Sequence, residues 1–317
     1  MDALEVLQPG AFTTIQDMGR YGFQKYGVSI SGAMDKFALR ISNILVGNSE
    51  EEAAIEITLI GPKLLALQDL IIAFAGADLS PQINGHSVPN WCSLAIQKGD
   101  IISFGKPKNG CRAYIALAGG IDFPLVMGSR SIHTRSQLGG RGRALAKGDI
   151  IKIRDTKRGS DDRIINRSLP PDDIPLYTNN CQVRVILGPQ SEYFTRAGIN
   201  TFLNSEYEIT SHADRMGYRL KGPKIEHKAG ADILTDATPP GSIQVPGDGM
   251  PIILLADAQT TGGYTKIAVV ISLDQSLLAQ AKPGDKIKFV RVTLGEAHRL
   301  LKEAEEKILK IKNCLIK

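Results

Sequence analysis

The segment AIQKGDII (95–102) returns as ALAKGDII (144–151) and, with a proline added, as AQAKPGDKI (279–287). Each copy places a Gly-Asp turn directly before apolar residues, the pattern of a tight turn feeding a β-strand. A second echo follows the same order, EITLIGPKL (56–64) and GYRLKGPKI (217–225). Gly-Asp turns alone are common in β proteins, but two kinds of echo in one order point to a diverged duplication. The segment 156–178 is polar, contains proline and has little periodicity, so it reads as a linker between the halves.

Short β-branched runs bounded by Gly, Pro, Asn or Asp predict strands at 54–59, 70–75, 94–96, 101–104, 113–118 and 150–153. Further runs follow at 183–187, 252–256, 267–271 and 286–292. Helices are few. Asp35 caps one over 36–46, with Phe37, Ile41, Ile44 and Leu45 on one face and Gly47 as the stop. A second is expected over 189–197, ending at Gly198, and a third over 273–281 behind Ser272. The last opens with the capping-box spacing Thr293/Glu296. Its apolar residues Ala297, Leu300, Leu301, Ala304, Ile308, Ile311 and Leu315 repeat at helical intervals. Many strands and few helices predict a mainly β chain of barrels or sandwiches rather than a doubly wound sheet. The expected divisions are 1–155, a linker at 156–178, a second β unit at 179–292 and a terminal helix at 293–317.

The 317 residues suit two domains, and 43% hydrophobic content supplies a core that needs no staples. Lys and Arg exceed Asp and Glu by 38 to 33, too small an excess for a nucleic-acid surface. The four cysteines form no CxxC pair, the N-terminus lacks a signal-peptide pattern, and no apolar run reaches membrane-spanning length. A cytoplasmic protein without membrane or nucleic-acid partners is expected. The common catalytic motifs are absent: no GxxxxGK[ST], no GxSxG, and no HExxH among five scattered histidines, so no metal site is predicted.

Four stretches combine glycine with polar groups more densely than turns require. TTIQDMGRYG (13–22), leading to SGAMD (31–35), carries Gln16, Asp17, Arg20 and Asp35; a rigid loop with Arg20 paired to Asp17 or Asp35 explains it equally well. SHADRMGY (211–218) sets Asp214 beside Arg215, either as a base and an anion clamp or as a strand-end ion pair. GSIQVPGDG (241–249) reads as a hairpin in which turn geometry does not require Gln244. AQTTGGYTK (258–266) is the most distinctive. Gln259, Thr260 and Thr261 offer donors and acceptors, Gly262 and Gly263 expose backbone N–H groups, and Tyr264 with Lys266 suits an anion. Contact with a ligand or a partner protein is the favoured reading of that loop.

These stretches also carry a family resemblance. The 13–35 segment, LVGN (45–48), EITLIGP (56–62), AGGID (118–122) and GSRS (128–131) resemble, in order, the biotin-dependent carboxyltransferase subdomain A/B family. DRMGYRLKGP (214–223), GSIQVPGDGMPI (241–252) and ADAQTTGGYTKIA (256–268) continue the resemblance. It implies two tandem cyclophilin-like β-barrel subdomains, with the terminal helix outside the shared motifs. Members of the family include the C subunit of ATP-dependent 5-oxoprolinase, KipA-like antagonists of a kinase inhibitor, and part of urea carboxylase. For a free-standing chain of this size, the first implies ATP-driven opening of the 5-oxoproline lactam to L-glutamate, together with a KipI-like B subunit plus an A subunit. ATP and Mg²⁺ then act at the level of the complex, and the chain alone is inactive. The alternatives are regulatory binding, or carboxyl transfer to a urea-like or amide substrate with a biotin carrier in trans. No Met-Lys-Met biotinylation site occurs, so no covalent biotin is expected on this chain. Under the lactam-opening reading, residue chemistry nominates Asp35, Asp214, Arg215 and Lys266 as catalytic. Gln16, Asp17, Arg20, Gln244, Gln259, Thr260, Thr261, Gly262, Gly263 and Tyr264 are nominated as substrate-binding.

Overall fold

A computed structural model describes residues 1–154 and 162–316. The chain forms two compact units: Met1–Arg20 with Ser31–Tyr177 and Lys307–Lys317, and Tyr21–Ile30 with Thr178–Glu306.

The first unit is built from β1 (Asp2–Gln8), β2 (Phe12–Gln16), α1 (Lys36–Leu45), β3 (Ala54–Thr58), β4 (Lys63–Ala66) and β5 (Leu70–Asp78). It continues through β6 (Pro81–Ile83), β7 (His86–Ser87), β8 (Cys92–Ile96), β9 (Ile101–Phe104), β10 (Asn109–Leu117), β11 (Ile121–Asp122) and β12 (Ile150–Ile153). The strands form two hydrogen-bonded sheets, β11-β12-β1-β4-β9-β6-β7 and β2-β3-β10-β5-β8. Ile72, Phe74, Ile115 and Leu117 of the second sheet join Leu4, Val6, Leu64 and Ile102 of the first in one buried core. Alternate residues of the same strands, Ile71, Ala73, Ala75 and Ala116, face α1 instead. Because both faces of β5 and β10 are covered, these strands read as continuous apolar runs. Small alanines on the helix side leave room for Leu39, Ile41 and Ile44 of α1. The helix begins as expected: Asp35 accepts from the Ala38 N–H at 2.9 Å. It ends where Gly47 takes a left-handed φ of 71°.

The second unit contains β13 (Asn180–Leu187), α2 (Arg196–Asn204), β14 (Glu206–Ala213), β15 (Gly217–Lys221), β16 (Asp232–Ala237), β17 (Ser242–Gln244) and β18 (Ile252–Leu254). Then come β19 (Thr261–Tyr264), β20 (Lys266–Val270), α3 (Gln275–Leu278), β21 (Lys286–Arg291) and α4 (Leu294–Ile316), whose residues from Lys307 onward belong to the first unit. Seven of its strands close a barrel in the order β13-β20-β17-β18-β15-β14-β21, while β16 and β19 form a separate two-stranded ribbon. Where α2 packs on the barrel, Phe202 stacks on Phe289 of β21 with ring centroids 4.4 Å apart.

The threefold Gly-Asp phrase has one structural meaning. In each copy the Asp carboxylate accepts from the N–H three residues back: Gln97 to Asp100 (2.7 Å), Ala146 to Asp149 (2.8 Å), Lys282 to Asp285 (3.0 Å). The glycine sits at φ of 95°, 83° and 90° respectively, which a side chain disfavours. Its N–H then donates to the carbonyls of Ala66, Val6 and Ile209 at 2.8, 2.8 and 2.9 Å, and the N–H groups of those residues donate back to the aspartate carbonyl. One turn therefore sets the register of three strand pairs, twice in the first unit and once in the second.

Some expectations shift. The helix placed at 189–197 is instead α2, capped by Thr195, whose hydroxyl accepts from Gly198 N–H at 2.9 Å. Gly198 lies inside the helix, where a Cβ would stand 2.4 Å from the Glu226 carbonyl, a close approach that only glycine permits. The 273–281 helix shrinks to a 3-10 turn and α3, since Asp274 turns inward to bind Arg184. The linker at 156–178 falls partly outside the described residues. Its described part is not a free linker: Ile164 and Leu169 are buried in the α1 core, and the Ser93 hydroxyl donates to the Ile164 carbonyl at 2.5 Å. The terminal helix forms as expected. Ala297 and Leu300 pack with Ile271 and Val292, and Ile308 and Ile311 join the α1 core.

Asp149 receives Arg143 through two hydrogen bonds (2.7 and 2.8 Å) and Arg141 at 2.6 Å. The Arg143 bonds hold its carboxyl below the ordinary value of 3.8. A depressed carboxyl stabilises the fold above its unfolded pKa, and that contribution is lost as pH falls through the folded value. Asp149→Asn should cost about 1–2 kcal/mol at neutral pH, and the difference from wild type should shrink in acid. Urea unfolding at neutral pH and below pH 3.8 measures both.

Candidate functional site

In the first unit the nominated residues form a buried network. Asp17 accepts from Gly19 N–H (2.9 Å), Ser129 and Ser131 hydroxyls (2.7 and 2.6 Å) and Arg130 N–H (2.6 Å). The fully buried Arg20 donates to the carbonyls of Val126 (3.0 Å) and Ser131 (2.9 Å). Gln16 donates to Thr14 Oγ1 and the Ile132 carbonyl, while its buried Oε1 has no hydrogen-bond partner among the described residues. Together they fasten the 126–132 loop, which carries the GSRS motif, to the end of β2. Asp35 stands apart, capping α1 and accepting from the Tyr177 hydroxyl at 3.2 Å. The Tyr114 hydroxyl receives the Asp35 N–H (2.8 Å) and donates to Glu56 (2.7 Å). Burial, followed by the Glu56 and Asp35 charges, pushes the Tyr114 hydroxyl well above its ordinary value. The Tyr177 hydroxyl rises for the same reason, burial first and Asp35 second. Glu56 is a buried carboxylate that sequence reading missed, because within EITLIGP it looks like any strand residue.

In the second unit Asp214 and Arg215 part company. Asp214 is exposed and its Oδ1 accepts from the N–H groups of Met216 (2.7 Å) and Gly217 (3.2 Å), closing a tight turn. Arg215 points inward and holds Asp257 through Nε (2.8 Å) and Nη2 (3.0 Å), both side chains being almost wholly buried. Both residues lie in the turn between β14 and β15, where one side chain closes the turn and the other enters the interior, so sequence neighbours need not share a site. The expected 241–249 hairpin is present: β17 pairs with β18, and Gly249 N–H returns to the Pro246 carbonyl at 2.9 Å.

The AQTTGGYTK stretch divides in two. Gln259 and Thr260 line a cleft of about 280 Å³ with Ser29, Ile30, Thr238 and Leu255. Ser29 and Thr238 shape its rim by donating to the Ala258 and Gln259 carbonyls at 2.8 and 2.6 Å. Thr261, Gly262, Gly263 and Tyr264 are not an open loop but strand β19, paired with β16. Lys266 begins barrel strand β20, is 2% exposed, and donates from Nζ to Asp236 Oδ2 at 2.9 Å. That bond holds the Asp236 carboxyl below its ordinary value. Gln190 joins them: its Oε1 accepts from Lys266 N–H (3.3 Å) and its Nε2 reaches Asp236 Oδ2 (3.4 Å). Gln244 is opposite Lys266 in the β17–β20 pairing. Its buried Nε2 has no hydrogen-bond partner among the described residues. Asp236 and Gln190 escaped the sequence reading because neither belongs to a glycine-rich run, and Asp257, although within the 256–268 motif, lies just outside the 258–266 stretch that was singled out.

Two β units, one a seven-stranded barrel, with glycine-bearing loops in this order, define a carboxyltransferase-type domain, and the chain belongs to that family. The model of the carboxyltransferase domain, subdomain A and B, matches residues 26–291. The chain is 39% identical over 295 residues to the 5-oxoprolinase C subunit of Escherichia coli K12, covering 93% of each. It is 38% identical over 305 residues to the 5-oxoprolinase C subunit of Haemophilus influenzae, covering 95% of each. Among solved structures, the Kluyveromyces lactis urea amidolyase matches 98% of this chain with a TM-score of 0.92 and 32% identity. This chain spans only 20% of that much longer protein. Among the described residues no helix is long and apolar enough to cross a membrane, and no three His, Cys, Asp or Glu side chains gather as a metal site.

Arg215→Met would leave Asp257 buried without its bidentate cation and should cost about 3–5 kcal/mol. Asp214→Ala removes only an exposed turn bond and should cost about 1 kcal/mol or less. Urea unfolding of both variants checks the ranking; equal losses would mean that Arg215 does not anchor Asp257.

Proposed function

We propose that this chain is the C subunit of an ATP-dependent 5-oxoprolinase, opening the lactam of 5-oxoproline to L-glutamate in the cytoplasm with a KipI-like B subunit plus an A subunit. What carries the reading is the match to two 5-oxoprolinase C subunits over more than nine-tenths of both partners. The urea amidolyase likeness, by contrast, takes in a fifth of that protein. The reading makes chemical sense of ATP. A lactam carbonyl is a weak electrophile because its nitrogen donates electron density into it. Transfer of a phosphoryl group to the carbonyl oxygen draws density away from the carbon and opens it to attack by water. The C–N bond of the adduct then breaks to free the amine of glutamate, and a second water hydrolyses the acyl phosphate that remains.

This chain's part would be to bind and orient the lactam. The cleft bearing Gln259 and Thr260 is at the small end of ligand-site volumes, which suits a single five-membered ring. An amide and a hydroxyl together can donate to the lactam oxygen and accept from its N–H. Lys266 would supply positive charge toward the substrate's anionic group. Asp214 and Arg215, given their turn and ion-pair geometry, would support the loops rather than touch substrate. The sequence has no phosphate-cradling glycine loop, so ATP and Mg²⁺ would act at the level of the complex.

Co-expression with its B and A partners should yield a complex that releases ADP only when 5-oxoproline is present. Lys266→Met in that complex should lower kcat/KM about a hundredfold without preventing assembly. A stable three-component assembly without 5-oxoproline-dependent ADP release would remove the reading. Carboxylation of an amide substrate on adding a biotinylated carrier would then favour the carboxyltransferase alternative.

A further inference from the structure

A buried ammonium needs an anion, because an unpaired charge out of water is strongly disfavoured. Lys266 takes that anion from an unusual place. Its own strand belongs to the closed barrel, whereas Asp236 rides on the β16–β19 ribbon, and the Asp236 side chain is 51% exposed. Two-stranded ribbons are marginally stable by themselves, and this one carries Leu234 at 94% exposure. A rigid cation is therefore covered by a displaceable carboxylate.

Asp236 also fits the donors incompletely. Its Oδ2 takes both Lys266 Nζ and Gln190 Nε2, but its Oδ1 is claimed by the neighbouring Ala237 N–H at 2.7 Å. Gln244 Nε2 is left without a partner among the described residues. That nitrogen is close at hand, since a Cβ added to Gly262 would stand 2.4 Å from it. Gly262 is the cross-strand partner of Asp236. Cross-strand partners project from the same ribbon face, so the missing side chain at Gly262 admits the Gln244 amide to the face from which Asp236 reaches Lys266.

We propose that Lys266, Gln190 and Gln244 form a carboxylate-binding site in which Asp236 is a stand-in, displaced when a ligand carboxylate enters. An incoming carboxylate has no backbone N–H of its own to satisfy. One oxygen takes the Lys266 and Gln190 donors, and the other is available to Gln244. Displaced Asp236 returns to water, where its charge is readily solvated. On the reading of the chain as part of a 5-oxoprolinase, the ligand group is the carboxylate of 5-oxoproline. Ala237, next to Asp236, lines the cleft that would take the lactam ring.

The test follows the side-chain amide resonances of Gln190 and Gln244 in the full-length chain during titration with acetate, 5-oxoproline and 2-pyrrolidinone, which lacks the carboxylate. Acetate and 5-oxoproline should shift both resonances, and 2-pyrrolidinone should shift neither. Asp236→Asn, which keeps the shape but removes the competing charge, should lower the half-saturating 5-oxoproline concentration about tenfold, and Lys266→Met should abolish the response. A Gln244 resonance indifferent to carboxylates, an equal shift with 2-pyrrolidinone, or a response surviving Lys266→Met would overturn the site. Carboxylate-dependent shifts, with no 5-oxoproline turnover by the assembled wild-type complex, would uphold the site and remove the lactam reading. Turnover without the shifts would do the opposite.

Discussion

The parallel pairing of Asn180–Leu187 with Lys286–Arg291 closes the barrel of the second unit, and the rest of that unit's chemistry depends on this closure. A closed sheet has no edge at which strands can slip, so every side chain on it keeps a fixed register. Lys266 and Gln244 are consequently held opposite one another on β20 and β17. The ribbon that carries Asp236 and Gly262 lies outside the closed order and has no comparable restraint. This contrast between fixed donors and a loosely held acceptor is a physical basis for exchange of one carboxylate for another.

Buried charge is handled differently at each place it occurs. Arg215 and Asp257 meet two-to-two with both side chains almost wholly buried, an arrangement that fixes a loop and leaves little to exchange. Asp17 is surrounded by two hydroxyls and two backbone N–H groups, and so is satisfied without a salt bridge being needed. Lys266 is buried, yet its partner faces solvent. The first two patterns build structure, and the third is suited to binding. The same residue types, Arg, Asp and Lys, thus take different roles according to how rigidly their partners are held.

The Gly-Asp turn shows how a local device survives divergence. Asp100, Asp149 and Asp285 make the same backward hydrogen bond, although their surroundings differ from exposed turn to arginine-bound corner. A left-handed glycine followed by a turn-closing carboxylate is specified by adjacent residues, so it tolerates change everywhere else. The first unit uses it on two strand pairs of an open sheet and the second on a strand pair of a closed barrel. The turn therefore dictates register, while closure is decided by the strands beyond it.

Features whose causes are close together in the chain were legible in the sequence: the β-rich character, the Asp35 cap, the Gly-Asp turns, the 241–249 hairpin and the amphipathic terminal helix. Short strands such as Pro81–Ile83 and the edge strand His86–Ser87 were not, because they have little apolar periodicity of their own and exist through their neighbours. The nominated residues Lys266 and Gln244 could be picked out as polar groups that turn geometry does not need. Their partners could not. Asp236 lies 30 residues from Lys266, Asp257 lies 42 from Arg215, and Asp17 finds its hydroxyls 112 and 114 residues away. Turns, caps and the alternation that makes this a β protein are thus written in neighbouring residues and can be read there. Which charges are locked together, and which remains exchangeable, is settled only once the strands have met. Local turns fix the register of single strand pairs, but which distant strands become neighbours, and whether the sheet closes, is encoded within reach of no single strand.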